Sequence, residues 1–236
     1  MDLTPPRFCF YLKSLALAMA LCIHSISASE QADHLERKII IGTSEIVGKL
    51  TKERNSTGFY DRFLSQLDNV ELVFVPYSRF DALIADGTVD CLFPESITTT
   101  SNPEQFIQSD ALSTVQAFIF SKMPYQSHQE FEGSGVSIRR GLSYGGVRQK
   151  LAANYVELGS DEALVKFLEL GRVDAFIAYL SDVSEVYKNL NITTHFYLPT
   201  LPIYEAKEAF VCNNTNRNAA FIIKVNSQIK RFLSEN

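Results

Sequence analysis

One sequence pattern occurs twice in this chain, and it constrains the fold more than any other feature. The segment Phe80–Phe93 reads FDALIADGTVDCLF, and the segment Leu164–Ile177 reads LVKFLELGRVDAFI. In both segments an apolar helical run ends at a glycine, a residue that commonly terminates helices. Val-Asp then leads into an apolar run that is typical of a buried strand. Such helix–glycine–strand joints are frequent in α/β proteins, so the repeated segment is informative only if the segments that precede it also match.

The residues before each segment supply that support. The apolar run Lys38–Ile41 precedes the first segment as Gly135–Ile138 precedes the second. Strand-like and helix-like runs alternate with short loops, which is the pattern of a parallel α/β sheet. We therefore predict an α/β protein with two small lobes rather than one large core.

The first lobe can be divided into elements from its hydrophobic periodicity and its breaking residues. We predict that Pro76 and Pro94 each end a strand, and that Gly87 closes a helix. The predicted strands are 38–42, 70–75 and 90–93, and the predicted helices are 59–67 and 78–85.

Two strand-like runs, Gln116–Phe120 and Glu208–Cys212, belong to neither copy of the pattern. We expect them to be the two places where the chain crosses between lobes. The tail Asn218–Leu233 has apolar residues at helical spacing and should return to pack on the first lobe. The resulting division assigns 29–116 and 204–236 to the first lobe and 117–203 to the second.

The first 28 residues have the features of a secretory signal rather than of a folded segment. Arg7 and Lys13 precede the apolar run Leu15–Ile23, and small residues follow it up to Ala28. A positively charged segment followed by an apolar run and then by small residues is typical of a cleaved signal peptide. The run is shorter than the roughly 20 residues that span a bilayer, although an uncleaved anchor is the alternative. We expect export to the periplasm.

Charge and composition exclude several classes. A net charge of −5 without basic runs argues against nucleic-acid binding, because that binding depends on Lys and Arg neutralising phosphates. The histidines that follow the signal segment, His34, His128 and His195, lie far apart, and no cysteine outside that segment stands in a zinc-ligand spacing. We therefore expect no metal and no cofactor.

Cys91 and Cys212 are the two cysteines that follow the signal segment. Cys91 begins the strand after Gly87, and Cys212 ends the strand that returns to the same lobe. If these strands are antiparallel neighbours, the thiols can form a disulfide, which an oxidising compartment permits. The alternative is two small buried thiols.

Several short segments, taken together, carry a resemblance to a known family. They are Thr57–Leu64, Val75–Arg79, Ala82–Asp90, Thr98–Thr100, Arg140–Tyr144 and Gly171–Ala175. Their order and spacing resemble the extracellular solute-binding proteins of family 3, the amino-acid-type periplasmic receptors of ABC importers.

The resemblance implies a type II periplasmic-binding-protein fold. Each lobe would be a mostly parallel sheet flanked by helices, and two crossing strands would join the lobes. The implied protein is a monomer that closes like a clamp on a small-molecule ligand and delivers it to an ABC permease.

Two usual ligand anchors of the family are absent from this sequence. Amino-acid binders of the family hold the ligand carboxylate with an arginine after the threonine-rich strand end, where this chain has Ser101–Gln105. They hold the amino group with an acid at the position that Tyr179 occupies here. Asp182 could substitute only if the loop shifted. Because an unpaired charge is costly to bury, an ordinary α-amino acid is not the expected ligand, and the ligand class stays open.

The resemblance also implies which residues face the cleft. Glu45, Tyr77, Arg79 and Thr98 would do so from the first lobe, and Ser143, Tyr144 and Tyr179 from the second. Each also has a structural interpretation. The tyrosines suit ordinary half-buried aromatics, Thr98 suits a helix cap, and Arg79 suits a surface pair with Asp81 or Glu45.

Three other functions were weighed against solute binding. Gly141–Gly145 is a literal G-x-S-x-G, and Ser143, Asp174 or Asp182, and His195 follow the chain order of a serine hydrolase. However, the sequence has no HGG-type oxyanion segment, and the repeat has no place in a single hydrolase sheet. A dehydratase would have to use Glu45 and Glu95. A ligand-sensing partner of a membrane receptor is the third function, and the sequence does not separate it from import. We expect a binding protein rather than an enzyme.

Overall fold

Strands and helices alternate along the part of the chain that the computed structural model describes, which is residues 37–53, 57–97 and 102–235. The proposed signal peptide lies outside this part. The strands are β1 Ile39–Thr43, β2 Val70–Phe74, β3 Cys91–Glu95, β4 Phe106–Gln108, β5 Ser113–Ser121, β6 Gly135–Arg139, β7 Asn154–Leu158, β8 Ala175–Tyr179 and β9 Tyr204–Asn213. The α-helices are α1 Phe59–Leu64, α2 Phe80–Ala85, α3 Val147–Lys150, α4 Asp161–Glu169, α5 Leu180–Leu190 and α6 Asn216–Glu235.

The described strands form one mixed sheet whose two halves have the same plan. The strand order is β2-β1-β3-β9-β5-β8-β6-β7, and β4 pairs with β9. In one half β1 lies parallel between β2 and β3, and β3 pairs antiparallel with β9. In the other half β6 lies parallel between β7 and β8, and β8 pairs antiparallel with β5. The first half with its helices is the first lobe, and the second half with its helices is the second lobe.

The strands β5 and β9 connect the lobes. They pair with each other through Ser113–Ala117 and Tyr204–Glu208. Beyond that stretch they diverge, because β5 continues along β8 in the second lobe while β9 continues along β3 in the first. The prediction of an α/β fold with two crossing strands is confirmed.

The repeated Val-Asp joint has the same structural role in both lobes. The carboxylate of Asp90 accepts a hydrogen bond of 2.8 Å from Ile40 N, and that of Asp174 accepts one of 2.8 Å from Gly135 N. Each aspartate therefore ties the entry of its own strand to the start of the central strand in its lobe. The preceding helices end at Gly87 and Gly171, whose φ values of 75° and 63° lie in the left-handed region, which glycine adopts without steric cost.

The helix α6 completes the core of the first lobe, as its periodicity predicts. Its buried residues pack with the apolar faces of β1 and α1, which removes apolar surface from water on both sides. The buried residues on this face of α6 are Phe221, Ile222, Val225, Ile229 and Phe232. None of the helices in the described residues is long and apolar enough to cross a membrane.

The sequence prediction is wrong at several element boundaries. Pro94 does not end its strand, because β3 continues to Glu95. Its pairing with β9 shifts register between Leu92 and Glu95, and a proline is tolerated at such an irregularity because no ladder hydrogen bond is needed there. The sequence prediction also lacked β4 and β7, which are short or carry polar residues.

Cys91 and Cys212 are directly paired residues of β3 and β9. Their sulfur atoms form a disulfide of 2.08 Å that joins positions 121 residues apart. A cross-link that closes a long loop reduces the conformational entropy of the unfolded chain. The bond therefore links the first half of the chain to the returning strand of the same lobe.

We predict that Cys91→Ala with Cys212→Ala lowers the free energy of unfolding of the protein without residues 1–28 by about 3 kcal/mol. Urea unfolding followed by circular dichroism measures this loss. The wild type in the presence of a reductant should lose a similar amount. Two free thiols titrated in denatured, unreduced wild-type protein would contradict the disulfide.

Candidate functional site

A cavity of about 330 Å³ lies between the two lobes. It is located at the carboxyl ends of the parallel strands β1, β2, β6 and β7, where α/β proteins commonly bind ligands. The first lobe lines it with Ser44, Glu45, Val47, Lys52, Phe74, Val75 and Pro76. The second lobe lines it with Arg139, Gly159, Ser160, Asp161 and Glu162.

Arg139 connects the two walls of this cavity. Its Nη1 donates to the carboxylate of Asp161, within the second lobe. Its Nη2 lies 3.4 Å from the carbonyl oxygen of Glu45, and its guanidinium lies 5.3 Å from the ring centroid of Tyr77, both in the first lobe. Burial raises the pKa of Asp161, and the charge of Arg139 opposes that rise. Arg139 is thus a cation that contacts both lobes at the mouth of the site.

Three tyrosines lie beside these charges. Tyr77 and Tyr144 are buried, and the ring centroids of Tyr144 and Tyr179 are 5.2 Å apart. Burial raises the pKa of all three phenols well above its usual value, so each hydroxyl group is a neutral donor and acceptor. The residues therefore offer hydrogen-bonding groups in an apolar setting, where a ligand group would bind more strongly than in water.

Buried hydroxyl groups without a partner occur in the same region. The Tyr144 side chain is only 1% exposed, and its Oη has no hydrogen-bond partner within residues 37–53, 57–97 and 102–235. Thr43, the last residue of β1, is also fully buried, and its Oγ1 lacks a partner in the same described ranges. An unpaired buried polar group is costly, so both atoms are candidates for contact with a ligand.

A second polar cluster occupies the crossing strands. Glu208 of β9 is 7% exposed, and its carboxylate accepts hydrogen bonds from the hydroxyl groups of Tyr60 and Ser113. Burial raises the pKa of Glu208, the carboxylate of Asp182 adds to the rise, and the ammonium of Lys49 opposes it. A buried carboxyl group thus lies at the junction of the two lobes.

Lys49 reaches from the loop after β1 to the second lobe. Its Nζ lies 2.7 Å from Asp182 Oδ1 and 2.7 Å from Ser181 Oγ, at the N-terminus of α5. The same ammonium lies 5.4 Å from the centroid of the Tyr60 ring. Both charged side chains are largely buried, with exposures of 15% and 9%. This ion pair is a second direct link between the lobes.

The residues predicted from the sequence have different environments. Glu45 lines the cavity and lies 3.6 Å from Lys52 Nζ, whereas Arg79 and Ser143 are exposed. Tyr77, Tyr144 and Tyr179 have the buried or half-buried positions described above. Thr98 lies outside the described residues. A role in ligand binding stays a prediction for all seven.

The hydrolase alternative lacks the geometry of a triad. The ring nitrogens of His195 lie 2.8 Å from Tyr187 Oη and 2.7 Å from Glu169 Oε1. Asp174 accepts the backbone hydrogen bond that starts β6, and Asp182 contacts Lys49. The two acids and the base of the proposed triad are therefore engaged with other partners.

The dehydratase alternative requires Glu45 and Glu95. Glu95 ends β3 and accepts a hydrogen bond of 2.8 Å from Ser96 N, whereas Glu45 pairs with Lys52. Within the described residues, no cluster of three or more His, Cys, Asp or Glu side chains is arranged to hold a metal ion.

Sequence reasoning missed Lys49, Arg139, Asp161 and Glu208. Each is an unremarkable charge in its local segment, and each becomes notable only because the fold buries it between lobes. One signal was present for Asp161, since Ser160 followed by two acids predicts a helix start. Ser160 does cap α4, accepting a hydrogen bond of 3.2 Å from Ala163 N.

The fold is shared with periplasmic binding proteins. A substrate-binding protein of an amino acid ABC transporter is similar with a TM-score of 0.67 and 15% identity, over 84% of this chain and 93% of that one. An ancestral arginine-binding protein in complex with arginine also gives a TM-score of 0.67 and 15% identity, over 85% and 94% of the chains.

A histidine kinase sensor domain with similarity to periplasmic binding proteins has the same fold. Its TM-score is 0.69 at 13% identity, over 84% of this chain and 91% of that one. No model of a known protein family matches the sequence, and no curated protein matches it either. At these identities the likeness establishes the fold and leaves the ligand undetermined.

We predict that Glu208→Gln changes how stability depends on pH. The pKa of Glu208 is higher in the folded than in the unfolded chain, so between these two values the folded state retains a proton that the unfolded state has lost. Stability from this group is therefore greatest at low pH and falls as pH rises through the folded pKa. The Gln variant lacks this loss, so its free energy of unfolding should improve relative to wild type as the pH rises from the ordinary range of a glutamate toward neutrality.

Urea unfolding across that pH range measures the effect, with Glu205→Gln as the matched control because Glu205 is an exposed acid on the same strand. Parallel pH profiles for wild type and Glu208→Gln would refute the assignment of a raised pKa to Glu208.

Proposed function

We propose that this protein is a periplasmic solute-binding protein that captures a small polar solute in the cleft between its lobes. In this proposal residues 1–28 are removed after export, and the bound solute passes to an ABC importer. The first lobe comprises 29–116 and 204–236, and the second comprises 117–203. The protein acts as a monomer and not as an enzyme.

The single observation that carries the proposal is the interlobe cavity, which both lobes line with charged and polar groups. The cavity of about 330 Å³ is suited to a small metabolite rather than to a polymer. Parallel strands direct their carboxyl ends toward it. The hydroxyl groups of Thr43 and Tyr144 have no partner within the described residues; Thr43 precedes the lining residue Ser44, and the charges of the lining residues Arg139 and Asp161 act on Tyr144. A ligand that hydrogen-bonds to these groups would remove the cost of leaving them unpaired.

The neighbouring structures support the same class of function. They include a substrate-binding protein of an amino acid ABC transporter and an arginine-binding protein. The family that the sequence resembles usually has an acid where this chain has Tyr179 and an arginine where it has Ser101–Gln105. The solute we propose is therefore a polar molecule other than an ordinary α-amino acid.

A sensory role is the second candidate. It is favoured by the likeness to a histidine kinase sensor domain with the periplasmic-binding-protein fold. In that case the same cleft would bind the ligand, and the closed protein would contact a membrane receptor instead of a permease. Ligand binding is common to both roles, so it is the property to test first.

We predict that a ligand raises the melting temperature of the mature protein, because binding to the folded state alone shifts the unfolding equilibrium. A thermal-shift screen would cover amino acids, polyamines, sugars and small organic acids. A ligand present at about 100 times its Kd stabilises by about 2.7 kcal/mol, which a melting scan detects. A broad screen without any shift would count against solute binding.

Tyr144→Phe separates a ligand-binding role from a purely structural one. Since the Tyr144 hydroxyl has no partner among the described residues, its removal should not lower the melting temperature of the ligand-free protein. We expect the affinity for the ligand from the screen to fall about tenfold, which corresponds to one lost hydrogen bond. Isothermal titration calorimetry measures this change.

Tyr125→Phe is the matched control, because Tyr125 is a buried tyrosine of the same lobe whose hydroxyl group donates to Ile119 O at 2.7 Å. It should lower stability by about 1 kcal/mol and leave ligand affinity unchanged. Equal effects of the two variants on affinity would remove Tyr144 from the site.

A further inference from the structure

Lys49 makes hydrogen bonds to both lobes. Its carbonyl oxygen accepts hydrogen bonds of 3.1 Å from Tyr60 N and Asp61 N, so its backbone is fixed at the N-terminus of α1 in the first lobe. Its ammonium contacts Ser181 and Asp182 of the second lobe at 2.7 Å each. A movement that separates the lobes must therefore break this ion pair or extend the side chain.

The loop that carries Lys49 is packed closely against α5. A Cβ atom on the preceding residue, Gly48, would lie 2.7 Å from Cγ of Glu185. Glycine allows this approach without displacing the Glu185 side chain, and its φ of 72° lies in the left-handed region that favours glycine. The loop and α5 are therefore in close contact at Gly48 and Glu185 as well as at the Lys49–Asp182 ion pair.

The charges around Lys49 form a site for a cation. Asp182 is paired directly with the ammonium, and Glu208 lies close enough for the ammonium to oppose the rise of its pKa. The Tyr60 ring faces the ammonium at 5.4 Å, which adds a cation–π contact. Two carboxyl groups, a hydroxyl group and an aromatic ring are the groups that proteins use to bind a primary amine.

We propose that Lys49 is a built-in counter-ion that latches the lobes in the absence of ligand, and that the ligand carries an ammonium group which displaces Lys49 from Asp182. This proposal rests on the proposed function, because it assumes that the cleft takes up a solute. It adds the chemical class of that solute, an organic amine. It also explains how the carboxylate of Asp182 is neutralised when no ligand is bound.

Removing the lysine side chain leaves Asp182 without its cation, and a buried carboxylate is costly when unpaired. Lys49→Ala should therefore relax toward an open arrangement of the lobes in which water reaches Asp182. It should also leave room for an added amine. Small-angle X-ray scattering of ligand-free protein reports the opening as a larger radius of gyration.

The test uses n-butylammonium chloride, whose four carbons and ammonium group match the whole lysine side chain and exceed by one carbon what Lys49→Ala removes. With Lys49→Ala we expect n-butylammonium to raise the melting temperature and to return the radius of gyration to the wild-type value. Its apparent affinity should be at least about tenfold higher than for wild type, where Lys49 occupies the site. Tetramethylammonium at equal ionic strength should have no effect, because it has no N–H group to donate.

Two control variants test whether Asp182 is the partner of the added ammonium group. Lys230→Ala removes the exposed Lys230–Asp110 pair of the first lobe, outside the cavity, and should behave as wild type. Adding Asp182→Asn to Lys49→Ala should abolish the response to n-butylammonium. If Lys49→Ala does not fold, Asp182→Asn alone replaces it, since it is nearly isosteric and should also enlarge the radius of gyration.

The outcomes separate the latch from the binding function. An unchanged radius of gyration in Lys49→Ala and in Asp182→Asn overturns the latch, as does a response to n-butylammonium that is independent of Asp182. A ligand from the screen that binds wild type and Lys49→Ala equally overturns the competition but leaves the binding function intact. An opening of Lys49→Ala reversed by n-butylammonium supports the latch even if the screen finds no solute.

Discussion

The hydrogen bond from an aspartate to the start of the neighbouring strand is the interaction on which each lobe depends. Asp90 holds Ile40 and Asp174 holds Gly135, in both cases at 2.8 Å. Each bond fixes where the central parallel strand begins relative to the strand that follows the helix. Because parallel strands have the same direction, fixing their starts also aligns their carboxyl ends. The aligned strand ends form the edge of each lobe that faces the cleft.

The crossing strands then determine how the two edges meet. Since β5 and β9 pair with each other over Ser113–Ala117 and Tyr204–Glu208, the lobes share one continuous sheet. The polar residues at this junction, including Glu208, are buried by both lobes together. Such a junction allows a ligand to bridge the lobes and be desolvated as they close. The same geometry allows Lys49 to take the bridging role when no ligand is present.

Much of the fold could be predicted from the sequence, whereas little of the site could. The repeated joint, the crossing strands and the amphipathic tail depend on local periodicity, which a single sequence displays. The boundary errors, such as the continuation of β3 through Pro94, arise where pairing with a distant strand overrides a local rule. The main site contacts join residues far apart in the chain, for example Lys49 and Asp182, which are 133 positions apart. No local pattern identifies such partners.

The sequence by itself determined the two-lobed α/β architecture and the pair of cysteines that could meet. Its resemblance to the amino-acid-type binding proteins also predicts that the usual anchors for an amino acid are absent. Only the tertiary structure decided which charges the cleft contains, because burial and pairing are properties of surfaces brought together from both lobes. Lys49 and Asp182 form an ion pair across the two lobes, whereas Arg139 pairs with Asp161 within the second lobe. The physical reason is that hydrophobic periodicity is a property of neighbouring residues in the sequence, whereas an ion pair depends on which distant residues the fold brings together.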